Sequence, residues 1–230
     1  MLDRFMRLCA TSGLVVAGLV LQQSSTRASF VVTASSGGSA LAGASYANFD
    51  GLPATGGTSG GATVSFTGNG AAVTGSSANN YAAPILAGGN NTFFGQAYTG
   101  ADATTYLSTG SASATLTFNR GPLSYLGLLW GSVDSGNTLT FFNGSTNVGS
   151  VTGAQLLANN GVASNTTVYV NILSNLAFTS VVATSPANSF EFDNVAYGAA
   201  VPEPSSLALC GIFGALGTVV ARKRARRAVA

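Results

Sequence analysis

Short segments of alternating apolar and polar residues are the feature that most restricts how this chain can fold. From Thr92 onward, eight segments of five to nine residues alternate with a period of two, and clusters of Gly, Asn and Ser separate them. This pattern is typical of β-strands. The segments are residues 92–98, 113–118, 125–130, 138–142, 146–151, 168–173, 176–184 and 189–197. Two further short candidates, 45–49 and 63–67, lie in the Gly- and Ser-rich region 33–70.

The strand pattern predicts an all-β domain over residues 29–200, built as an antiparallel two-sheet β-sandwich of jelly-roll type. A closed barrel is less favoured, and so is a solenoid, for which no fixed-period repeat is found. We find no helical periodicity between the two ends of the chain. Asn143-Gly144 predicts a type I′ hairpin turn, because both residue types accept positive φ angles.

The closing segment, residues 189–197, changes the parity of its apolar positions. Phe190 and Phe192 share one face of a regular strand, whereas Val195 and Tyr197 share the other. Either both faces are buried, or a bulge near Asp193 reverses the register. We favour the bulge.

The first 28 residues have the order of a secretion signal. Residues 1–7 are short and basic, residues 8–21 are apolar, and a polar stretch then leads to Ala28. We therefore expect a signal peptide over 1–28, with cleavage after Ala28. A first core helix is the alternative.

The last 30 residues form a second special segment, 201–230. Residues 207–221 are apolar, and residues 205–221 would make a helix of about 25 Å, the lower limit for spanning a bilayer. A cluster of bases follows and predicts a cytoplasmic end: Arg222, Lys223, Arg224, Arg226 and Arg227. A core helix with a solvated charge run is the alternative.

The tail also resembles a known sorting signal. Pro202-Glu203-Pro204, the apolar stretch and the Arg-rich end resemble the PEP-CTERM signal of bacterial exosortase substrates. The resemblance implies that a membrane-embedded exosortase recognises these three residues, cuts nearby and releases the domain to the envelope or extracellular matrix. Two prolines would keep the site extended and accessible, in agreement with this.

Two stretches of the predicted domain, residues 125–141 and 190–195, resemble a family of exosortase-dependent surface proteins. That resemblance covers about residues 91–197 and implies location and fold only.

Composition excludes several functions for the domain between the ends. Arg120 is its single base after residue 30, so it has no basic patch for nucleic acid. The chain has no histidine, its two cysteines, Cys9 and Cys210, lie in the apolar ends, and Lys223 is its only lysine. These absences exclude a Ser-His-Asp triad, a thiolate nucleophile, a zinc site with His or Cys ligands and Schiff-base chemistry in the domain.

Carboxylates are the remaining candidates for chemistry. Glu191 and Asp193 would lie about 7 Å apart on one strand face, near the spacing of an inverting glycosidase, but this spacing is commonplace in strands. We consider instead a structural calcium site built from Asp193 and Asn194 with the help of Asp50 or Asp134, because hard oxygen ligands suit Ca²⁺. Acids of the surface and of turns are the alternative interpretation. Asp50 and Asp193 each follow a Phe, on segments expected to lie side by side.

Two other residues have alternative interpretations. Trp130, the sole tryptophan, would be a sugar-stacking platform in a lectin-like site, but its parity with Leu126 and Leu128 favours the core. Arg120 could pair with a partner's carboxylate, although a solvated turn is the simpler interpretation.

These observations leave three hypotheses for function. The first is a non-enzymatic surface or matrix protein whose partner is an exosortase and whose precursor is held at the inner membrane. The second is a carbohydrate-binding module in the same place, with extracellular polysaccharide as its ligand. The third is an enzyme with two convergent carboxylates, which we do not favour.

Overall fold

A computed structural model of the protein describes residues 27–96 and 99–199. This part is nearly all β, with antiparallel strand pairing throughout and one short helix. The all-β, sandwich-like prediction is therefore confirmed. The strands are β1 (Phe30–Ser35), β2 (Ser45–Ala47), β3 (Gly57–Ser59), β4 (Ala62–Thr67), β5 (Ala71–Val73), β6 (Ile85–Leu86), β7 (Gly100–Ala101), β8 (Tyr106–Ser108), β9 (Ser113–Phe118), β10 (Leu123–Trp130), β11 (Thr138–Asn143), β12 (Thr146–Thr152), β13 (Val168–Phe178), β14 (Ser180–Thr184) and β15 (Glu191–Gly198).

The strands form two large sheets. The seven-stranded sheet has the order β1-β13-β10-β15-β8-β5, with β2 also paired to β15. The six-stranded sheet has the order β12-β11-β14-β9-β4-β3, and β6 and β7 form a separate ribbon. The main core packs alternate residues of the two sheets against each other, Phe141, Phe178 and Phe192 among them.

The seven-stranded sheet is also covered on its outer face. A second apolar cluster there contains Leu86 and Phe94 from the connection before β8, together with Leu129 and Tyr169 of the sheet. We call residues 82–96 and 99–104 the covering segment. As a result β15 is buried on both faces, at every residue except Gly198.

A register shift gives β15 the bulge that its sequence predicted. Gly127 of β10 pairs with Ala196, and Leu129 pairs with Asp193, so Leu128 alone faces two residues of β15. Asn194 has a φ of 49°, in the left-handed region that Asn tolerates better than most residues. The bulge keeps Phe192 and Val195 on the core side and leaves Asp193 and Asn194 for the outer side. Both interpretations of the parity change therefore hold.

The hairpin after β11 is present, but its turn differs from the prediction. β11 and β12 are adjacent and antiparallel, and Asn143 pairs with Thr146. The two turn residues are thus Gly144 and Ser145, and of these only Gly144 has a positive φ, at 58°. A glycine at the first central position is what a type II′ turn requires, rather than the type I′ turn expected.

The helix α1 (Gly153–Asn159) was not expected from the sequence. Thr152 caps it by accepting a hydrogen bond from the Gln155 N–H, and the Gln155 side chain bonds back to the Thr152 N–H. This capping box was visible as Thr-x-x-Gln, but two turns are too few for a clear helical period.

The predicted strand at residues 92–98 was also wrong in the part that is described. Residues 92–95 form turns instead of a strand. They belong to the covering segment, where Phe94 packs on Tyr169 from the outer side of the sheet.

Several predictions fall outside the described residues. Nearly all of the predicted leader, the helix at 205–221, the sorting residues and the basic end are among them. Within residues 27–96 and 99–199, no helix has the length and apolar character needed to cross a bilayer.

Candidate functional site

Two polar sites lie along the outer face of β15. Alternation along the strand places Glu191 and Asp193 on this side, and the bulge adds Asn194. Glu191 lines an open cleft, whereas Asp193 and Asn194 lie under the covering segment. The predicted pair of carboxylates is thereby separated, since Asp193 has no exposed surface and Glu191 belongs to the cleft.

The first site, which we call the polar cleft, encloses about 380 Å³. Its lining residues come from the connection after β5, from the loops that follow β10 and α1, and from the start of β15. They are Ser76, Ser77, Ala78, Asn79, Asn80, Tyr81, Ala82, Ser132, Asp134, Asn165, Asn188, Ser189 and Glu191. Amides, hydroxyls and two acids dominate this surface, so it can exchange hydrogen bonds with a polar ligand.

Glu191 is held firmly at the back of the polar cleft. Its Oε1 accepts hydrogen bonds from the Ala82 N–H at 3.0 Å and from the Ser189 hydroxyl. Burial raises the pKa of Glu191, the hydrogen bonds from Ser189 and Ala82 oppose the rise, and repulsion from Asp134 adds to it. Asp134 thus faces Glu191 across the cleft and lies apart from Asp193 and Asn194.

The second site, which we call the bulge cluster, comprises Asn90, Gln96, Asp102, Thr104, Asp193 and Asn194. Asp193 and Asn194 are each 0% exposed. Asn194 Nδ2 donates to Asn90 O at 3.1 Å and to Gln96 Oε1 at 2.7 Å. The covering segment is therefore fastened to the bulge by the side chain of Asn194.

The hydrogen bonds of the bulge cluster run in one direction. Gln96 Nε2 donates to Thr104 Oγ1 at 2.6 Å, and the Thr104 hydroxyl donates to Asp102 Oδ1 at 2.6 Å. The Thr104 N–H also donates to this oxygen, at 2.8 Å. Every donor in this series of hydrogen bonds, from Asn194 through Gln96 and Thr104, thus points toward the Asp102 carboxylate.

Asp193 is the most perturbed acid in the described part of the chain. Burial raises its pKa well above the usual range, and the nearby Asp102 carboxyl raises it further. Asp50 adds a smaller repulsion from the rim, where Asn48 Nδ2 binds its Oδ2 at 2.8 Å. The nearby backbone N–H of Asn194 lowers the pKa of Asp193 slightly. It is not placed to form a hydrogen bond, and both oxygens of Asp193 are without a hydrogen-bond partner.

The four residues of the predicted calcium site are therefore divided between the two sites. Asp193 and Asn194 lie together, Asp50 lies at the rim of the same cluster, and Asp134 belongs to the polar cleft. The expectation that the segments carrying Asp50 and Asp193 are neighbours is confirmed, because Ala47 of β2 pairs with Val195 of β15.

Asp102 was missed as a member of the site. It lies 91 positions before Asp193, and the sequence around it, Asp-Ala-Thr-Thr, shows only an acid followed by a hydroxyl two residues later. That spacing allows the local bonds to Thr104 but does not indicate the distant partner.

Trp130 lies in the main core. It is 0% exposed, and its ring packs on Phe190 with centroids 4.3 Å apart. A ring without exposed surface cannot stack a sugar, which corrects the lectin-type interpretation. Arg120 is exposed in the turn between β9 and β10.

The described part of the chain is thus an antiparallel, sandwich-like β-domain with a polar cleft and a buried polar cluster. Residues 200–227, directly after this domain, match the PEP-CTERM protein-sorting motif. The chain therefore carries the sorting signal that exosortase-dependent surface proteins carry, which confirms the resemblance drawn from Pro202-Glu203-Pro204 and the basic end.

Two solved structures are similar to the chain at a low level. Both are mutants of carbohydrate-binding modules of family 29, and each shares 15% identity, covering 77% of this chain and 99% of the module. Their TM-scores are 0.26 and 0.25, too low to assign a common topology or to transfer a binding property. No curated protein matches the chain.

Proposed function

We propose that this chain is a non-enzymatic surface or extracellular-matrix protein that an exosortase sorts and cuts at its tail. In this proposal a leader over residues 1–28 directs export, and a helix at 205–221 holds the precursor in the inner membrane. Cleavage near Pro202-Glu203-Pro204 then frees the β-domain, of jelly-roll type, to the surface or matrix. The observation that carries the proposal is the sorting motif at residues 200–227.

The position of the last strand supports processing at the tail. β15 ends at Gly198, and its pairing with β10 reaches that residue. A cut anywhere after residue 199 removes none of the described strands. The domain can therefore keep its fold after release.

The side-chain chemistry supports a non-enzymatic domain. Among the described residues there is no His, Cys or Lys, and the acids of β15 do not share one cleft. Glu191 Oε1 already accepts hydrogen bonds from the Ala82 N–H and the Ser189 hydroxyl, and Asp193 has no exposed surface that a substrate could contact. A domain of this kind is suited to display and contact.

Replacing Pro202-Glu203-Pro204 with three alanines in the native host tests the sorting step. We expect the variant to stay in the membrane fraction at precursor mass, whereas the wild type is released at lower mass. Asn147→Ala, on β12 and outside residues 200–227, is the control and should leave release unchanged. Release of the triple variant at the mature mass would refute exosortase sorting at this motif.

Carbohydrate binding in the polar cleft is the second candidate function. The specific observation is the lining of amides and hydroxyls around Asp134 and Glu191, which suits the donors and acceptors of sugar hydroxyls. A polysaccharide of the surrounding matrix would be the ligand.

A glycan array probed with the full-length chain tests this candidate. We expect binding that Asp134→Ala and Asn165→Gly abolish, the glycine being chosen because Asn165 has a φ of 59°. The exposed Asn147 lies on β12, outside the cleft, so Asn147→Ala is the control. Binding to no glycan, or binding that survives both cleft variants, would leave display as the function.

A further inference from the structure

We propose that the domain binds one calcium ion at the bulge cluster, with Asp193 and Asn194 as the central ligands and Asp102 as the second carboxylate. This inference goes beyond sorting and does not depend on it.

The orientation of the Asn194 amide is the first support. Both of its amide hydrogens face acceptors, Asn90 O and Gln96 Oε1, so a flipped amide would lose both bonds. The orientation of Gln96 is fixed in turn, because its own Nε2 must donate to Thr104. Asn194 Oδ1 therefore points away from these two acceptors, fully buried and without a hydrogen-bond partner.

The oxygens of Asp193 are the second support. Both are buried and neither has a hydrogen-bond partner. Together with Asn194 Oδ1 they make three buried acceptors on two successive residues, on the same face of the bulge. Native proteins rarely leave a buried polar group without a partner, so three such acceptors together indicate a place where a ligand binds.

The charge balance indicates that the ligand is a cation. Arg27 and Arg120 are the only bases among the described residues. Arg120 lies near Tyr197, whose side chain faces the core, and Arg27 precedes β1. The carboxylates of Asp102 and Asp193 thus approach each other without a base of the domain between them.

A shared proton would not meet the same requirements. One proton between the two carboxyl groups forms a single hydrogen bond and gives a donor to one oxygen of Asp193 at most. The other oxygen of Asp193 and Asn194 Oδ1 would still be unpaired. A cation contacts all three and offsets the negative charge as well.

The donor set selects calcium among common metal ions. Carboxylate and amide oxygens are hard ligands. Within residues 27–96 and 99–199 no three His, Cys, Asp or Glu side chains converge on one metal position, so an ion here must take its other ligands from amides, carbonyls and water. Ca²⁺ accepts irregular sets of six to eight oxygens, including amides and water, whereas Mg²⁺ demands a near-octahedral set. The carboxylate and the amide of the bulge, with the carboxylate of Asp102 on the covering segment, fit the irregular set.

Such an ion would fasten the covering segment to the sheet. Asp102 lies on the segment, and Asp193 and Asn194 lie on β15, so one ion bridges two parts of the chain 91 residues apart. Binding should therefore stabilise the folded state, because the ligands are brought together only there.

The test measures metal content and thermal unfolding of the full-length chain at pH 7. We expect one calcium per chain by elemental mass spectrometry, and a midpoint roughly 5–10 °C higher in calcium than in EGTA when the ion is present at about 100 times its Kd. Asp193→Asn should lose both the calcium and the shift. Glu191→Gln removes a buried carboxylate two positions away on the same strand and should keep both.

Several outcomes would overturn the proposal. One is wild-type protein without calcium and with the same midpoint in calcium and EGTA, which would leave a proton or water at the cluster. A second is an equal shift with Mg²⁺, which would remove the choice of calcium. If Asp193→Asn fails to fold, the calcium content of the wild type and the difference between its unfolding midpoints in calcium and in EGTA still test the proposal. Terbium adds a local readout, since Tyr169 donates to Asn194 O at 3.0 Å and should sensitise its emission.

Discussion

Replacing Asn194 with alanine should destabilise the domain strongly even without metal. The change removes two hydrogen bonds and leaves Asn90 O and Gln96 Oε1 without a donor, at about 1–3 kcal/mol each. Alanine in the left-handed conformation, at a φ of 49°, costs roughly 1–2 kcal/mol more. Removal of the unpaired, buried Asn194 Oδ1 stabilises the folded state by about 1–3 kcal/mol and so offsets part of this loss. Taken at the middle of these ranges, the net loss of unfolding free energy is about 3–4 kcal/mol.

Urea unfolding of the full-length chain in EGTA measures this loss. With a slope of about 1–3 kcal/mol per molar urea, the midpoint should fall by roughly 1 M or more. Asn194→Gly loses the same hydrogen bonds but avoids the backbone strain of alanine at a positive φ. It should therefore be about 1–2 kcal/mol more stable than Asn194→Ala. The exposed Asn147→Ala is the control, expected within about 0.5 kcal/mol of wild type. A midpoint for Asn194→Ala equal to wild type, or equal losses for alanine and glycine, would refute the reasoning.

Two further substitutions test the packing around β10. Burial raises the pKa of Tyr125 to about 12, and its hydroxyl donates to Asn171 Oδ1 at 2.6 Å. The folded state therefore holds this proton more tightly than the unfolded chain, and the free energy of unfolding falls as pH rises from about 10 toward 12. Tyr125→Phe should reduce the slope of this fall by up to about 1.4 kcal/mol per pH unit, measured by urea midpoints from pH 9 to 11. An unchanged slope would contradict this assignment. Trp130→Ala should cost about 3–5 kcal/mol of unfolding free energy in urea, whereas Phe93→Ala, at a ring 47% exposed, should cost much less. Equal losses would show that Trp130 does not pack as described.

Local patterns were enough to predict most strands of the main core. β9 spans the predicted residues 113–118, and β10, β11 and β12 differ from their predictions by one or two residues at an end. β9 and β11 alternate because only one face of the six-stranded sheet packs on the main core. β10 is buried at every residue except Ser124, because both faces of its sheet are covered. The bulge in β15 was also predictable, because the core requires Phe192 and Val195 on one side.

The outer face of the seven-stranded sheet could not be predicted in the same way. The covering segment has turns held by side-chain bonds, such as Asn90 Oδ1 accepting from the Ala87 N–H at 3.0 Å, and such bonds leave no period in the sequence. The site beneath it joins Gln96, Asp102 and Asn194 across about 90 to 100 positions. Only the folded topology shows that these residues meet.

Gly127 shows how closely that outer face is packed. A Cβ at this position would lie 2.3 Å from Tyr125 Oη and 2.9 Å from Tyr169 Oη, so the two hydroxyls need a residue without a side chain beneath them. Tyr169 then reaches Asn194 O, and Tyr125 reaches Asn171. The glycine in the middle of β10 is thus a requirement of the outer face rather than a weakness of the strand.

β15 connects the two polar sites to the sorting tail. It carries Glu191 of the polar cleft and both central residues of the bulge cluster, and it is paired on both sides by β10 and by β2 and β8. Pro202 follows its last residue by four positions. An exosortase acting at this motif must therefore work directly beside a folded domain. Because the bulge cluster fastens the covering segment to the same strand, an ion bound there would stabilise the part of the fold nearest to the cut.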